Sequence, residues 1–102
     1  MKQLITKIKE FINSKKITLL KFYAKWCFPC KELKKTLKKI KKKFKKNIKL
    51  ISIDIDENLD ISNKYDIQSV PTILIYKNKK NIKTIIGSID YKYLKKKINK
   101  IL

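Results

Sequence analysis

The chain has 102 residues, enough for one modestly sized core, and its 43% apolar content excludes a disordered segment despite the charge. Every basic residue is lysine, and 28 lysines against 8 acidic residues give a net charge of +20, which predicts attraction to anionic partners and a strong salt dependence. Part of this excess follows from AT-rich codons, because Ile and Asn are abundant with Lys while Gly is nearly absent.

Leu4, Ile5, Ile8, Phe11 and Ile12 recur at helical spacing, predicting an amphipathic helix over Lys2–Asn13 that packs on a core. Lysines interrupt it throughout, so it is neither a signal peptide nor a membrane span, and a soluble cytoplasmic protein is expected. After a turn at Asn13-Ser14-Lys15-Lys16, Ile17–Tyr23 is a nearly continuous apolar run of the kind found in a central parallel strand, broken only by Lys21. A second helix is predicted from near Cys27 to about Lys45, with Leu33, Leu37, Ile40 and Phe44 on its apolar face and Pro29 in the first turn, where its missing N–H costs nothing.

Ile48–Ile55 reads as the second strand, with Ile51, Ile53 and Ile55 alternating with Ser52 and Asp54. Asp56-Glu57-Asn58 offers a turn and a helix cap before a short helix over Leu59–Tyr65. Ile73–Tyr76 is a strand, Lys77–Asn81 a hairpin loop, and Ile82–Ile86 the returning strand, ended by Gly87. Asp90 caps a last helix whose apolar face is Tyr93, Leu94, Ile98, Ile101 and Leu102. The order α-β-α-β-α-β-β-α predicts an α/β fold, a central mixed four-stranded sheet with helices on both faces. Residues 1–102 read as one domain without linker or repeat.

The chemistry concentrates at Trp26-Cys27-Phe28-Pro29-Cys30-Lys31, which holds the only two cysteines. At the junction of a strand and a helix, such a pair is a dithiol that opens and closes reversibly. The helix N-terminus stabilises a thiolate on the first cysteine, and thiolate is the attacking species in disulfide exchange. The second, one turn on, is placed to resolve the mixed disulfide. With no histidine and no further cysteine, tetrahedral zinc would need a second chain or carboxylate ligands. A purely structural disulfide would close too small a loop to stabilise the fold much. No metal is expected.

The block Phe22-Tyr23-Ala24-Lys25-Trp26-Cys27-Phe28-Pro29-Cys30-Lys31 resembles the active-site segment of the thioredoxin family. Ile53–Asn58 is similar to that family's central-strand exit, and Tyr65-Asp66-Ile67-Gln68-Ser69-Val70-Pro71-Thr72 to its segment around a cis-proline. The resemblance covers almost the whole chain. It implies a thioredoxin-like fold and a thiol–disulfide oxidoreductase with no metal or organic cofactor beyond its redox-active disulfide. Cys27 would be the exposed nucleophile and Cys30 the buried resolving thiol. By itself Pro71 reads as a trans proline opening an edge strand; the resemblance implies a cis bond facing the disulfide, with the Val70 backbone free to pair with an extended substrate. Trp26, Phe28, Pro29, Ile55, Val70, Pro71, Thr72, Ile86 and Gly87 would surround the substrate groove, although Ile55, Val70 and Ile86 fit a plain core role equally well. Implied partners are protein disulfides and a thioredoxin-reductase-type flavoprotein, met by a monomer with no specific nucleic-acid or membrane partner.

Three departures from the family pattern stand out. Phe28 replaces the usual glycine between the cysteines. The N-terminal segment is short, so the family's first edge strand is expected to be missing or short. Lys21 stands where the family typically has a buried aspartate beneath the resolving cysteine, and Ser52 where a paired lysine is common. Lys21 is a candidate modulator of the dithiol: a proton acceptor if neutral, a thiolate stabiliser if charged. The plain alternative is that it reaches solvent or pairs with Asp54. The departures at Phe28 and Lys21 also admit a more oxidising or pathway-dedicated protein, and the charge admits a redox-independent binding subunit.

Overall fold

The computed structural model describes residues 2–102. Helix α1 (Lys2–Ile12) leads into strand β1 (Ile17–Tyr23), followed by α2 (Phe28–Lys43), β2 (Ile48–Asp54), α3 (Leu59–Lys64), the hairpin β3 (Thr72–Lys77) and β4 (Lys80–Ile86), and α4 (Tyr91–Ile101). The four strands form one sheet in the order β2-β1-β3-β4. The β1–β2 pair is parallel and the other two are antiparallel, giving the expected mixed sheet. Among the described residues no strand precedes α1, so β2 is left as an edge.

Alternation along the strands sends side chains to two cores. On one face Ile17, Leu19, Ile48, Ile73 and Ile75 pack beneath Leu33, Leu37 and Ile40 of α2 and Leu94 and Ile98 of α4. On the other, Leu20, Phe22, Ile51, Ile53 and Leu74 pack against Ile8 of α1 and Ile61 of α3. A buried hydroxyl ties α1 to the sheet, where Thr18 Oγ1 donates to the Phe11 carbonyl at 2.8 Å.

Several boundaries differ from those read in the sequence. Helix α2 stops at Lys43, because Phe44 leaves helical geometry (φ −109°, ψ 31°) and buries its ring on the core. Its carbonyl accepts from the N–H of Asn47 and of Ile48, which turns the chain into β2. The hairpin loop shrinks to Asn78-Lys79, both at positive φ (53° and 68°), the conformation a two-residue turn needs to follow strand twist. A register shift between Ile75 and Tyr76 pairs them with Lys83 and Asn81, leaving Ile82 as the extra residue of a bulge. Asn58 precedes α3 without capping it; its amide instead donates to the Asp54 carbonyl at 3.0 Å. Asp90 caps α4 as expected, accepting from the Tyr93 N–H at 2.8 Å. Tyr93 and Leu102, assigned to the apolar face of that helix, are exposed, and Tyr91 packs on the core instead.

Candidate functional site

The two cysteines sit where strand becomes helix. Cys27 is the N-cap of α2 in extended geometry, and Phe28 and Pro29 are its first two helical residues. Pro29 therefore removes an N–H that has no helical partner in any case. Cys27 and Cys30 form a disulfide with Cα atoms 5.3 Å apart. The Cys30 backbone N–H donates to Cys27 Sγ at 3.2 Å, so the helix terminus directs a donor at the first sulfur and at no other atom of the pair. A helix N-terminus with a donor aimed at a sulfur is the arrangement that would stabilise a thiolate there.

Burial does not separate the two cysteine residues. Cys27 is 4% exposed and Cys30 3%, so the expected contrast between an exposed and a buried cysteine is absent from the disulfide state. The reason is packing: Ala24, Cys27 and Cys30 form a small cluster closed by Tyr23, Ile55 and Val70. What distinguishes the cysteines is position, one on the cap and one inside the first turn.

The predicted groove residues divide into three groups. Trp26, Phe28 and Ile86 are exposed, at 70%, 68% and 70%, and form open apolar surface. Ile55 and Val70 are half-buried against the dithiol. Ile55 lies just beyond β2, but its N–H still bonds to the Tyr23 carbonyl at 2.9 Å. Pro71 and Thr72 are buried. The Val70–Pro71 bond is cis, and the Pro71 carbonyl accepts from the Gly87 N–H at 2.8 Å. Gly87 has φ +90°, a backbone conformation that side chains rarely adopt. Thr72 is the first residue of β3; its hydroxyl donates to the Ser69 carbonyl at 2.8 Å, and it lines a cleft with Tyr65, Leu74, Tyr76 and the groove residue Ile86.

Lys21 is buried in the middle of β1, 4% exposed, with its neighbours Ser52 on β2 and Ile73 on β3. It shares a cavity with Cys30, Ala24, Lys34 and Ser52, on the α2 side of the sheet. Its ammonium lies 4.9 Å from the centroid of the Tyr23 ring, a cation–π distance. The ion pair with Asp54 does not form: the single salt bridge among the described residues joins Lys25 to Glu57 at 3.1 Å. Asp54 Oδ1 instead accepts from the Asp56 N–H at 2.9 Å. Burial, and then the charge of Lys34, hold the Lys21 ammonium below the ordinary lysine pKa of 10.5.

Two acidic residues that were read as a turn and helix cap at the strand exit also contact the residues before the dithiol. Asp56 Oδ2 accepts from the Trp26 indole N–H at 2.8 Å, and Glu57 holds Lys25. The parallel register Tyr23↔Asp54, extended past both strand ends, brings Lys25-Trp26 beside Asp56-Glu57. Pairing register was the missing information, since neither segment alone points to the other.

A disulfide across the N-cap of a helix, an apolar rim and a cis-proline loop packed against the sulfurs define a dithiol–disulfide oxidoreductase. Comparison with known proteins agrees. The thioredoxin family model matches residues 3–100, and the chain belongs to the thioredoxin family. It is 33% identical to thioredoxin of Bacillus subtilis over 90 residues, covering 88% of this chain and 86% of that one. It is 32% identical to thioredoxin of Porphyra purpurea over 93 residues, covering 91% and 87%. The crystal structure of a thioredoxin from Nicotiana alata superposes with a TM-score of 0.86 at 26% identity, covering 97% and 84%. Oxidised mitochondrial thioredoxin 3 of Saccharomyces cerevisiae gives 0.83 at 28% identity, covering 94% and 89%. The protein is thus a protein-disulfide oxidoreductase that works through its own disulfide.

Proposed function

We propose that the chain is a single-domain, monomeric cytoplasmic reductant of protein disulfides, with Cys27 as attacking thiol and Cys30 as resolving thiol. The observation that carries the assignment is the Cys30 N–H aimed at Cys27 Sγ. Cys27 thiolate attacks one sulfur of a substrate disulfide; a new S–S bond forms and the first substrate thiolate leaves, taking a proton. Cys30 thiolate then attacks Cys27 Sγ, the Cys27–Cys30 bond forms, and the second substrate thiolate departs. Two electrons and two protons pass to the substrate. Trp26, Phe28 and Ile86 supply apolar surface for the bound segment, Ile55 and Val70 border the sulfurs, and the Val70 backbone pairs with the segment's main chain. Pro29, Pro71 and Gly87 shape the loops that carry these groups. No metal or organic cofactor takes part, and neither nucleic acid nor a membrane is a specific partner. A thioredoxin-reductase-type flavoprotein returns the electrons.

Lys21 is proposed as a positioning residue that acts on the dithiol from the cavity below Cys30, where its charge favours the thiolates. A second reading, a more oxidising member of the family, draws on the exposed Phe28 ring between the cysteines. Equilibration with glutathione redox buffers tests the choice. A potential near about −270 mV, with NADPH-dependent reduction by a flavoprotein reductase, supports the reductant; a potential well above about −200 mV replaces it with the oxidising reading.

A further inference from the structure

A second feature lies at the edge of the sheet. Among the described residues strand β2 pairs only with β1. The Ile55 N–H bonds to Tyr23 in the β1 direction, so odd-numbered residues of this segment turn their main-chain groups toward β1 and even-numbered ones turn away. The two ends of the outward row are closed. The Ile48 N–H donates to the Phe44 carbonyl at 3.1 Å, and the Asp54 carbonyl accepts from Asn58 Nδ2 at 3.0 Å. Between them Leu50 and Ser52 present N–H and C=O groups to the open edge, and Ser52 is exposed.

Beside that edge runs a groove of about 430 Å³, floored by these two residues. Its wall carries Lys34, Lys38, Lys41 and Lys42 of α2 and Lys45 just beyond the helix, and no acidic residue lines it. The groove shares Lys21, Lys34 and Ser52 with the cavity under Cys30, so it is continuous with the underside of the dithiol.

We propose that this edge and groove bind an extended acidic segment of a partner protein by strand addition. Alternating donors and acceptors on Leu50 and Ser52 match a polypeptide backbone, whereas a phosphate chain only accepts and would leave the two carbonyls without partners. The lysines repel a second copy of this edge and attract carboxylates. The helical part of the wall, from Lys34 to Lys42, is about 12 Å long by helical rise, the length of roughly four extended residues. Alternate side chains of such a strand face α2, so about two acidic residues at every second position meet the lysines.

The test uses the full chain, isotopically labelled, and a peptide of alternating glutamate and threonine, followed by amide NMR and fluorescence anisotropy at low salt. The amides of Leu50 and Ser52 are expected to shift and to gain exchange protection of at least tenfold, whereas those of Lys49 and Ile51, already turned to β1, change little. Lys38→Glu/Lys42→Glu is expected to weaken the peptide at least tenfold. Lys96→Glu/Lys100→Glu on α4, with the same net charge, should weaken it less than threefold, and both variants should reduce a small neutral disulfide at the parent rate. A peptide N-methylated at alternate amides on its pairing edge should lose at least tenfold in affinity. The proposal is overturned if the methylated peptide binds as well as its parent, if both double variants weaken binding equally, if no amide of β2 responds, or if a mixed-sequence oligonucleotide of equal charge binds more tightly at the same residues.

Discussion

The backbone N–H of Cys30 points at the sulfur of Cys27 across the first turn of α2, 3.2 Å away. One chain segment thus carries both sulfurs and the donor that makes them unequal. Donation to a sulfur is worth most when the sulfur is charged, so a thiolate formed on Cys27 would gain most from this contact.

Lys21 should set the pH range of the reaction. A charged ammonium near the dithiol favours thiolates, so Lys21→Asp is expected to move the acid limb of the pH–rate profile upward by at least about half a unit, and Lys21→Met by less. Superimposable profiles from folded variants would leave Lys21 with a packing role. Stability follows from the lowered pKa of Lys21. Between its folded value and 10.5 the unfolded chain binds more protons, so this contribution to stability is present above 10.5 and lost as pH falls through the folded value. Lys21→Met should therefore stabilise the protein at neutral pH, with an advantage that narrows as pH approaches 10.5.

The bond from Trp26 to Asp56 should matter to partners more than to the fold. Both residues are exposed, so Asp56→Ala is expected to change unfolding free energy by no more than about 1 kcal/mol. Freed from its anchor, the indole samples more orientations, and KM for a protein disulfide should rise severalfold while reduction of a small disulfide is unchanged. Equal effects on both substrates would contradict a role in docking.

Charge should appear in encounter rates. Acidic protein disulfides are expected to react faster than basic ones of equal potential, and the advantage should shrink as the Debye length falls from about 10 Å at 0.1 M salt to about 3 Å at 1 M. A small neutral disulfide should show little salt dependence. A preference that persists at high salt would point to shape recognition at Trp26, Phe28 and Pro71 instead.

The helix that carries the dithiol depends on its seat in the core. Leu37 is buried between α2 and the sheet, so Leu37→Ala should cost about 2–5 kcal/mol in denaturant titrations. Leu59, 64% exposed, should tolerate Leu59→Ala within about 0.5 kcal/mol. Similar costs at both positions would contradict the packing described.

Element order and the dithiol were legible in the sequence because each rests on local signals: strand runs at Ile17–Tyr23 and Ile48–Ile55, helical spacing in α2, and the strand-to-helix setting of Cys27 and Cys30. What sequence did not disclose depends on contacts between distant segments. The partnership of Trp26 with Asp56 needs the β1–β2 register. The burial of Cys27 needs Ile55 and Val70 brought against it. Lys21 was visible as an anomaly, but its lack of an acidic partner depends on the placement of Asp54, which forms no ion pair with it. Tyr93 is exposed because Leu94 and Ile98 carry the buried stripe of α4, and Leu102 lies past the end of the helix.

The central claim is that Cys27 attacks and Cys30 resolves, and trapping with single-cysteine variants tests it most directly. Cys30→Ser, incubated with an oxidised protein substrate, should accumulate a mixed disulfide through Cys27, identifiable by mass spectrometry of the linked peptides. Cys27→Ser should form little or none and should lose disulfide-reducing activity. A stable adduct through Cys30 in Cys27→Ser, or full activity in that variant, would contradict the assignment.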